Sequence, residues 1–570
     1  MRFVLPLLLG VSLAHAAPPP LSEDARFDRL VDDYYAEFPK AHPVSATEMG
    51  LHDRDGEVDD LSQAGFAKES ARLEAWAQRF AKLEHAALSS ARSADLIAVR
   101  TSIESSLLEA REIQGWRHRP DYYPGFASRS LYVIIKRSFA PPEVRMRAAI
   151  AREQKLPALL KEGQKNLGEV STVAVEIALD EIEGIIGFFQ KDVPLAFSAV
   201  QDRALKSQLD AATKGVVLAL TEYGQFVRRD LKPKAVAGFA LGEAKFRAKL
   251  KADELIDAPL DQLLVRGETE LARLQVEFKR TAAKIDPKKS FADVQLAMQK
   301  DHDTPAHLIA GTQARLAGLR KFLADRGIVT LPSEVMPRVE ETPPFMRATT
   351  FASMDTPGPY ETRATEAYFN VTLPEKGWPA AQTEDFMRGA FNRPLIDVVS
   401  IHEAFPGHYV QFLFLPGVQG KVRKYEGASS NAEGWAHYCE QMMLDEGYGA
   451  GDPTLRLAQL QDALLRAARY VVGIRMHTRG MSFDDAVAFF QKEGFQSKEV
   501  ALMETRRGTE DPTYLYYTLG KLEILKLRDD YKRKLGGAYT LRKFHDAFLA
   551  EGALPLPLVR KALLGDSPRL

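Results

Sequence analysis

Apolar residues recur at three- and four-residue intervals along almost the whole chain, the spacing of helices that bury one face. From about Leu21 to Arg326 this pattern is nearly continuous, with clear runs over Ser70 to Leu83, Ser93 to Leu108, Pro142 to Leu167 and Pro259 to Lys279. Pro and Gly mark the connections, as in Pro120 to Gly125 and Ala140-Pro141-Pro142. Near residue 329 the pattern changes. Val329 to Glu375 is rich in proline and holds β-branched and aromatic stretches, Ala348-Thr349-Thr350-Phe351 and Ala367 to Thr372, which predict a small sheet with extended connections. Helical spacing then resumes to the end, and Asp511-Pro512 predicts a helix start that continues through Tyr517 and Leu522. The expected architecture is therefore mainly α: a two-lobed fold with a helical lobe over 17–328, a small β-rich segment over 329–375 beside a cleft, and a second helical lobe over 376–570.

The first residues follow a different logic. Arg2, the apolar run Phe3 to Leu13 and Ala14-His15-Ala16 have the order of a cleavable export signal, with a cut expected after Ala16. The apolar run is too short to span a membrane, and no cysteine follows it for lipid attachment. The expected location is periplasmic or secreted. Charge does not change the picture: 77 acidic residues face 76 basic ones, with 45% apolar and 27% charged residues. That balance excludes an electrostatic footprint for nucleic acid or anionic membrane. Cys439 is the single cysteine, so an intrachain disulfide is excluded and packing must supply stability.

The chemistry gathers after an apolar run, Leu395 to Ser400, in Ile401-His402-Glu403-Ala404-Phe405-Pro406-Gly407-His408 and then Asn431-Ala432-Glu433-Gly434-Trp435-Ala436. Imidazoles and a carboxylate form a three-ligand zinc set, and a further Glu can serve as base. Here His402, His408 and Glu433 are the candidate ligands of one zinc ion and Glu403 the candidate base. In HExxH the two histidines are four residues apart, about 40° out of register on a helix. Six residues separate them here, about 120° the short way round. Pro406 and Gly407 supply freedom to correct this, and a two-residue bulge would restore the usual geometry. Against this stands a plain helix end at Pro-Gly, with His408 in a loop. Glu433 also fits a capping box with Ser430, yet Glu433, His437 and Glu440 form a titratable stripe on an otherwise apolar helix.

His402 to Gln411 and Glu433 to Ala436 resemble the signature of the DUF885 family, a large family of bacterial proteins identified as gluzincin-like metallopeptidases. The likeness extends through Asp121-Tyr122-Tyr123-Pro124, Arg137 to Pro142 and Arg506 to Gly520. It implies an α-helical zinc peptidase and leaves the substrate open. His477, Arg506 and Tyr517 match positions of the family's later motifs, with Tyr517-Thr518-Leu519-Gly520 matching Tyr-x-x-Gly. Such enzymes need a Tyr or His to steady an oxyanion, and an Arg if they grip a terminal carboxylate. Two departures stand out: Gly473 occupies a position where the family commonly has an acidic residue, and Pro512-Thr513-Tyr514-Leu515 replaces Pro-Gly-Gln-Ala. Arg507 and Tyr516 are alternative members of the site.

The expected function is that of an exported zinc metallopeptidase acting on short peptides from their C-terminal end. Its expected partner is a peptide, with no nucleic acid and no membrane after signal removal; oligomeric state is left open. A zinc amidohydrolase acting on a non-peptide amide, and a non-catalytic exported binding protein with a degenerate site, are the alternatives. The open edge of the small sheet suits an extended peptide, although a hairpin merely joining two lobes would have the same sequence.

Overall fold

The computed structural model describes residues 21–347 and 350–565. The expected export signal lies outside them. The first principal helices are α1 (Glu23–Ala41), α2 (Gln63–Ala81) and α3 (Ser90–Leu108). Each begins behind a serine whose side chain accepts a backbone N–H three residues on: Ala25 on Ser22, Gly65 on Ser62, Arg92 on Ser89. These caps satisfy donors that a helix start leaves without partners. Next come α4 (Tyr122–Lys136), α5 (Pro142–Glu153), α6 (Leu156–Asn166), α7 (Thr172–Gly187) and α8 (Arg203–Phe226). They enclose a core of their own around Tyr123, Leu131, Met146, Leu160, Val175, Val216 and Tyr223. Then α9 (Leu260–Ile285) and α10 (Pro305–Arg326) lead to the sheet.

The β-rich segment forms β1 (Arg338–Glu341), β2 (Ala352–Asp355) and β3 (Tyr368–Val371) in the order β1-β3-β2. β1 runs parallel to β3, with Arg338 opposite Tyr368, and β2 runs antiparallel to it, with Ala352 opposite Val371. β2 is therefore an edge strand. Helices follow: α11 (Ala380–Phe391), α12 (Arg393–Glu403), α13 (His408–Phe414), α14 (Ser429–Asp445) and α15 (Pro453–Thr478). The last four are α16 (Lys498–Glu510), α17 (Tyr516–Leu535), α18 (Leu541–Ala550) and α19 (Leu556–Leu564). The fold is mainly α with one small sheet, as the spacing predicts. Among the described residues, no helix is long and apolar enough to cross a membrane.

One difference from the sequence reading lies before α17. This helix starts at Tyr516, not at Asp511-Pro512; residues 512–515 make a turn instead. The two family departures meet there. A Cβ on Gly473 would lie 2.9 Å from the Tyr514 ring, so the space where an acidic side chain would project is filled by an aromatic one.

The largest core joins Phe27, Trp76 and Val99 to Leu316, Phe369, Ile401, Trp435, Ile524, Phe548 and Val559. Its residues come from both sides of the boundaries at 328 and 375. The first three helices, the sheet, the helices bearing the candidate ligands and the last two helices thus share one apolar interior.

Candidate metal centre

The pieces of the site meet where α12 ends. Its backbone closes on itself: the N–H groups of Ala404 and Phe405 both donate to Ser400 O, at 2.9 and 3.2 Å, and that of Gly407 to Ile401 O at 3.0 Å. Gly407 is required by this close approach, because a Cβ there would sit 1.6 Å from His402 O. The expected bulge in a continuing helix is replaced by an end and a fresh start, with α13 beginning at His408. The outcome for the side chains is the one the bulge was expected to give. The His402 and His408 rings lie 4.9 Å apart and perpendicular. Trp435 of α14 donates its indole N–H to Pro406 O at 2.9 Å and fixes the turn from below.

Glu433 comes to the pair from α14. Its Oε2 lies 3.3 Å from Nε2 of both histidines. One ligand atom from each of the three residues falls within 4.8 Å of the others. Ligands at about 2.0–2.1 Å in a tetrahedral shell stand about 3.4 Å apart, so these spacings fit a small tetrahedral cation. The donor set fits too, since Glu433 Oε2 is buried and accepts no hydrogen bond. Glu433 is not a capping residue: α14 starts at Ser429, and the Ser430 N–H donates to Glu254 Oε2 at 3.0 Å. Burial opposes its charge, but His408 and His402 outweigh burial and hold its pKa well below the usual carboxylate range.

A second layer orients the first. His402 Nδ1 is 2.7 Å from Glu440 Oε1, which leaves Nε2 to the site, and His437 Nδ1 is 2.9 Å from the other Glu440 oxygen. Such carboxylate–imidazole contacts fix the tautomer and orientation of a ligating ring. Arg466 approaches Glu440 Oε1 at 3.3 Å. Burial, followed by the charge of Lys521, holds His437 neutral, its pKa well below the ordinary value. The start of α14 is anchored to the C-terminal region: the Ala428 N–H donates to Ala553 O and Asn431 Nδ2 to Leu554 O, both at 2.7 Å. Gln411 of α13 donates to Asn431 Oδ1 at 2.9 Å.

Tyr517 reaches Glu433 because two glycines let α14 and α17 touch backbone to backbone. A Cβ on Gly434 would be 2.6 Å from Gly520 Cα, and one on Gly520 would be 2.0 Å from Ser430 O. The Tyr517 hydroxyl then donates to Glu433 Oε1 at 2.9 Å and accepts from Arg507 Nη2 at 2.7 Å. Gly520→Ala forces these helices apart. It is expected to cost about 1–3 kcal/mol in stability and to weaken metal binding, both readable from thermal melts with and without added metal.

These groups line a cavity of about 510 Å³. Glu403 lines it beside the ligand set, buried to 7% exposure, with Oε2 free of any hydrogen bond. Residues 350 to 354, which include the start of β2, form another part of its wall. Arg466 and Arg469 also line it, each held by a buried carboxylate. Arg466 pairs with Asp462, and Arg469 Nη2 donates to Glu504 at 2.7 Å as one prong of a fork.

Two residues singled out by sequence stand elsewhere. Among the cavity's lining residues His477 is absent; its Nδ1 accepts the Leu241 N–H at 3.2 Å and its Nε2 donates to Gly508 O at 2.7 Å. Both ring nitrogens are spent on packing between segments. Arg506 turns outward to Asp180 at 3.1 Å, and its neighbour Arg507 faces the cavity instead. Tyr516 bonds Asp511, which leaves Tyr517 as the tyrosine on the site. Sequence reasoning placed Glu440 on a titratable stripe with Glu433 but missed the supporting roles of Asp462, Arg466 and Arg469. The signal was there: one acid, Asp462, and the arginines Arg466 and Arg469 at three- and four-residue steps inside α15, a helix buried nearly all round.

Comparison with known proteins agrees with this fold. The solved structure of a putative lipoprotein of unknown function from Shewanella oneidensis is 25% identical, with TM-score 0.76 over 94% of this chain and 99% of that one. A putative lipoprotein from Colwellia psychrerythraea superposes with TM-score 0.78 at 18% identity, over 95% of this chain and 99% of that one. No curated protein matches the chain. The sequence matches the DUF885 family, described as a bacterial protein of unknown function, from residue 43 to 563, and the chain belongs to that family.

Proposed function

We propose that this chain is a zinc-dependent peptidase acting on short peptides outside the cytoplasm. The observation that carries the proposal is one cavity holding His402, His408 and Glu433 at ligand spacing, with the Glu403 carboxylate beside them. Two imidazoles and one carboxylate are the ligand set of many catalytic zinc sites, and zinc bound there supplies Lewis acidity. The protein's own residues do the rest. Glu403, with Oε2 free of hydrogen bonds, takes a proton from the attacking water and returns it to the leaving amine. Tyr517, backed by the Arg507 cation, turns its one hydroxyl proton from Glu433 Oε1 to the oxygen on which negative charge develops. Burial raises the Tyr517 pKa, so it works as a neutral donor.

The edge strand supports a peptide rather than another amide. Among the described residues β2 pairs with β3 alone, and residues 350–354 line the cavity, so an extended substrate can add beside it through main-chain hydrogen bonds. Export is supported by the N-terminal pattern and by the likeness to the putative lipoprotein from Shewanella oneidensis.

Elemental analysis of the purified protein is expected to give about one zinc per chain, and chelation to lower its Tm by a few degrees. Incubation with a mixed peptide library is the functional test. Full zinc occupancy with no peptide cleaved overturns the peptidase reading. Tyr517→Phe is expected to lower kcat about 10²- to 10³-fold with zinc retained, measured on any peptide the library yields.

A further inference from the structure

We infer that Arg507 anchors the C-terminal carboxylate of the substrate, so that the site removes one or two residues from the end of a peptide. This rests on the peptidase reading above. Among the described residues three arginines line the cavity, and two of them are held by buried carboxylates. Arg466 is held by Asp462 and Glu440, and Arg469 by the two oxygens of Glu504. Arg507 has its nearest described carboxylate, Asp511, 3.8 Å away, and Asp511 also accepts the Tyr516 hydroxyl. Glu510, one turn further along α16, also lines the cavity but is drawn off by Arg119 at 3.1 Å. The Arg507 side chain retains 28% exposure and lines the cavity. Its one strong contact is with the neutral Tyr517 hydroxyl.

Position then sets what Arg507 can hold. It stands two hydrogen bonds from Glu433, through Tyr517, and these bonds of 2.7 and 2.9 Å together span less than about 6 Å. An extended chain advances about 3.5 Å per residue. A carboxylate on Arg507 therefore belongs to the first or second residue beyond a carbonyl held at the ligand set. Guanidinium binds carboxylate with two parallel hydrogen bonds, and the partly desolvated setting strengthens them. Water adds across the amide C–N bond: the acyl product leaves as a carboxylate, and the released amino acid or dipeptide carries the new amine.

Matched peptides, one with a free C-terminus and one amidated, test this with the zinc-loaded protein, Arg507→Ala and Arg507→Lys. Glu403→Gln provides a binding readout without turnover, using the same two peptides carrying an N-terminal fluorophore. The parent is expected to prefer the free carboxylate on the order of 100-fold in kcat/KM, and Glu403→Gln to bind it correspondingly tighter. Arg507→Ala is expected to lose that preference, mainly through KM, and Arg507→Lys to recover part of it. Equal cleavage of both peptides by the parent overturns the anchor while leaving the peptidase standing. An equal loss on both peptides in Arg507→Ala also overturns it, and assigns Arg507 to positioning Tyr517. Cleavage of neither peptide, together with equal binding of both to Glu403→Gln, overturns anchor and peptidase together. A melting curve close to the parent's excludes misfolding as the cause of any loss.

Discussion

Replacing Glu403 by glutamine is expected to lower turnover by about 10²- to 10⁴-fold while zinc stays bound. Glu403 closes α12 one residue after His402, so a step of about 100° round the helix separates its side chain from the ligand. It lines the same cavity and has one carboxylate oxygen without a partner. A glutamine keeps the shape and removes only the ability to accept a proton. Single-turnover kinetics with parallel metal analysis checks the result. Zinc lost together with activity would move Glu403 from base to ligand.

The second large effect is expected from His408→Ala. Removing one of three protein ligands costs several kcal/mol, about 10³-fold or more in metal affinity. It also leaves Glu433 Oε2 facing one imidazole instead of two. Turnover disappears with the metal, and competition against a chromophoric chelator gives the affinity directly. His477→Ala is the natural contrast. Its ring holds Leu241 and Gly508, away from the cavity, so stability is expected to fall while zinc affinity is kept. Equal zinc affinities in parent and His408→Ala would remove His408 from the site.

The residues that the sequence and the structure agree in bringing together are those whose type and spacing carry chemistry by themselves. An imidazole pair around Pro-Gly and a carboxylate on an apolar helix also read as a helix end and a cap, and the structure brings the three side chains together. What stayed hidden depends on orientation. Arg506 and Arg507 differ by one step of a helix, about 100° of rotation, and a distant acid on α7, Asp180, decides which of them faces out. His477 sits inside an apolar helix in a motif-like position, and only the structure pairs both its nitrogens with backbone. The late start of α17 was masked because Asp511-Pro512 is a good helix opening; the Tyr514 ring packed on Gly473 occupies the turn instead. The helical segments themselves were legible from periodicity, because their buried faces repeat every three to four residues. The shared core was not, since contacts between Phe27, Trp435 and Val559 leave no trace in local spacing.

The anchoring of α14 on residues 553 and 554 also dictates when the site comes into being. A chain emerging from the ribosome or threading through a membrane exposes His402 and His408 long before the carbonyls that seat Glu433. The three side chains therefore come together only once residues 553 and 554 have been released, since domains fold as units. On this ordering His402 and His408 wait without their carboxylate partner until that later segment has emerged and folded against α14.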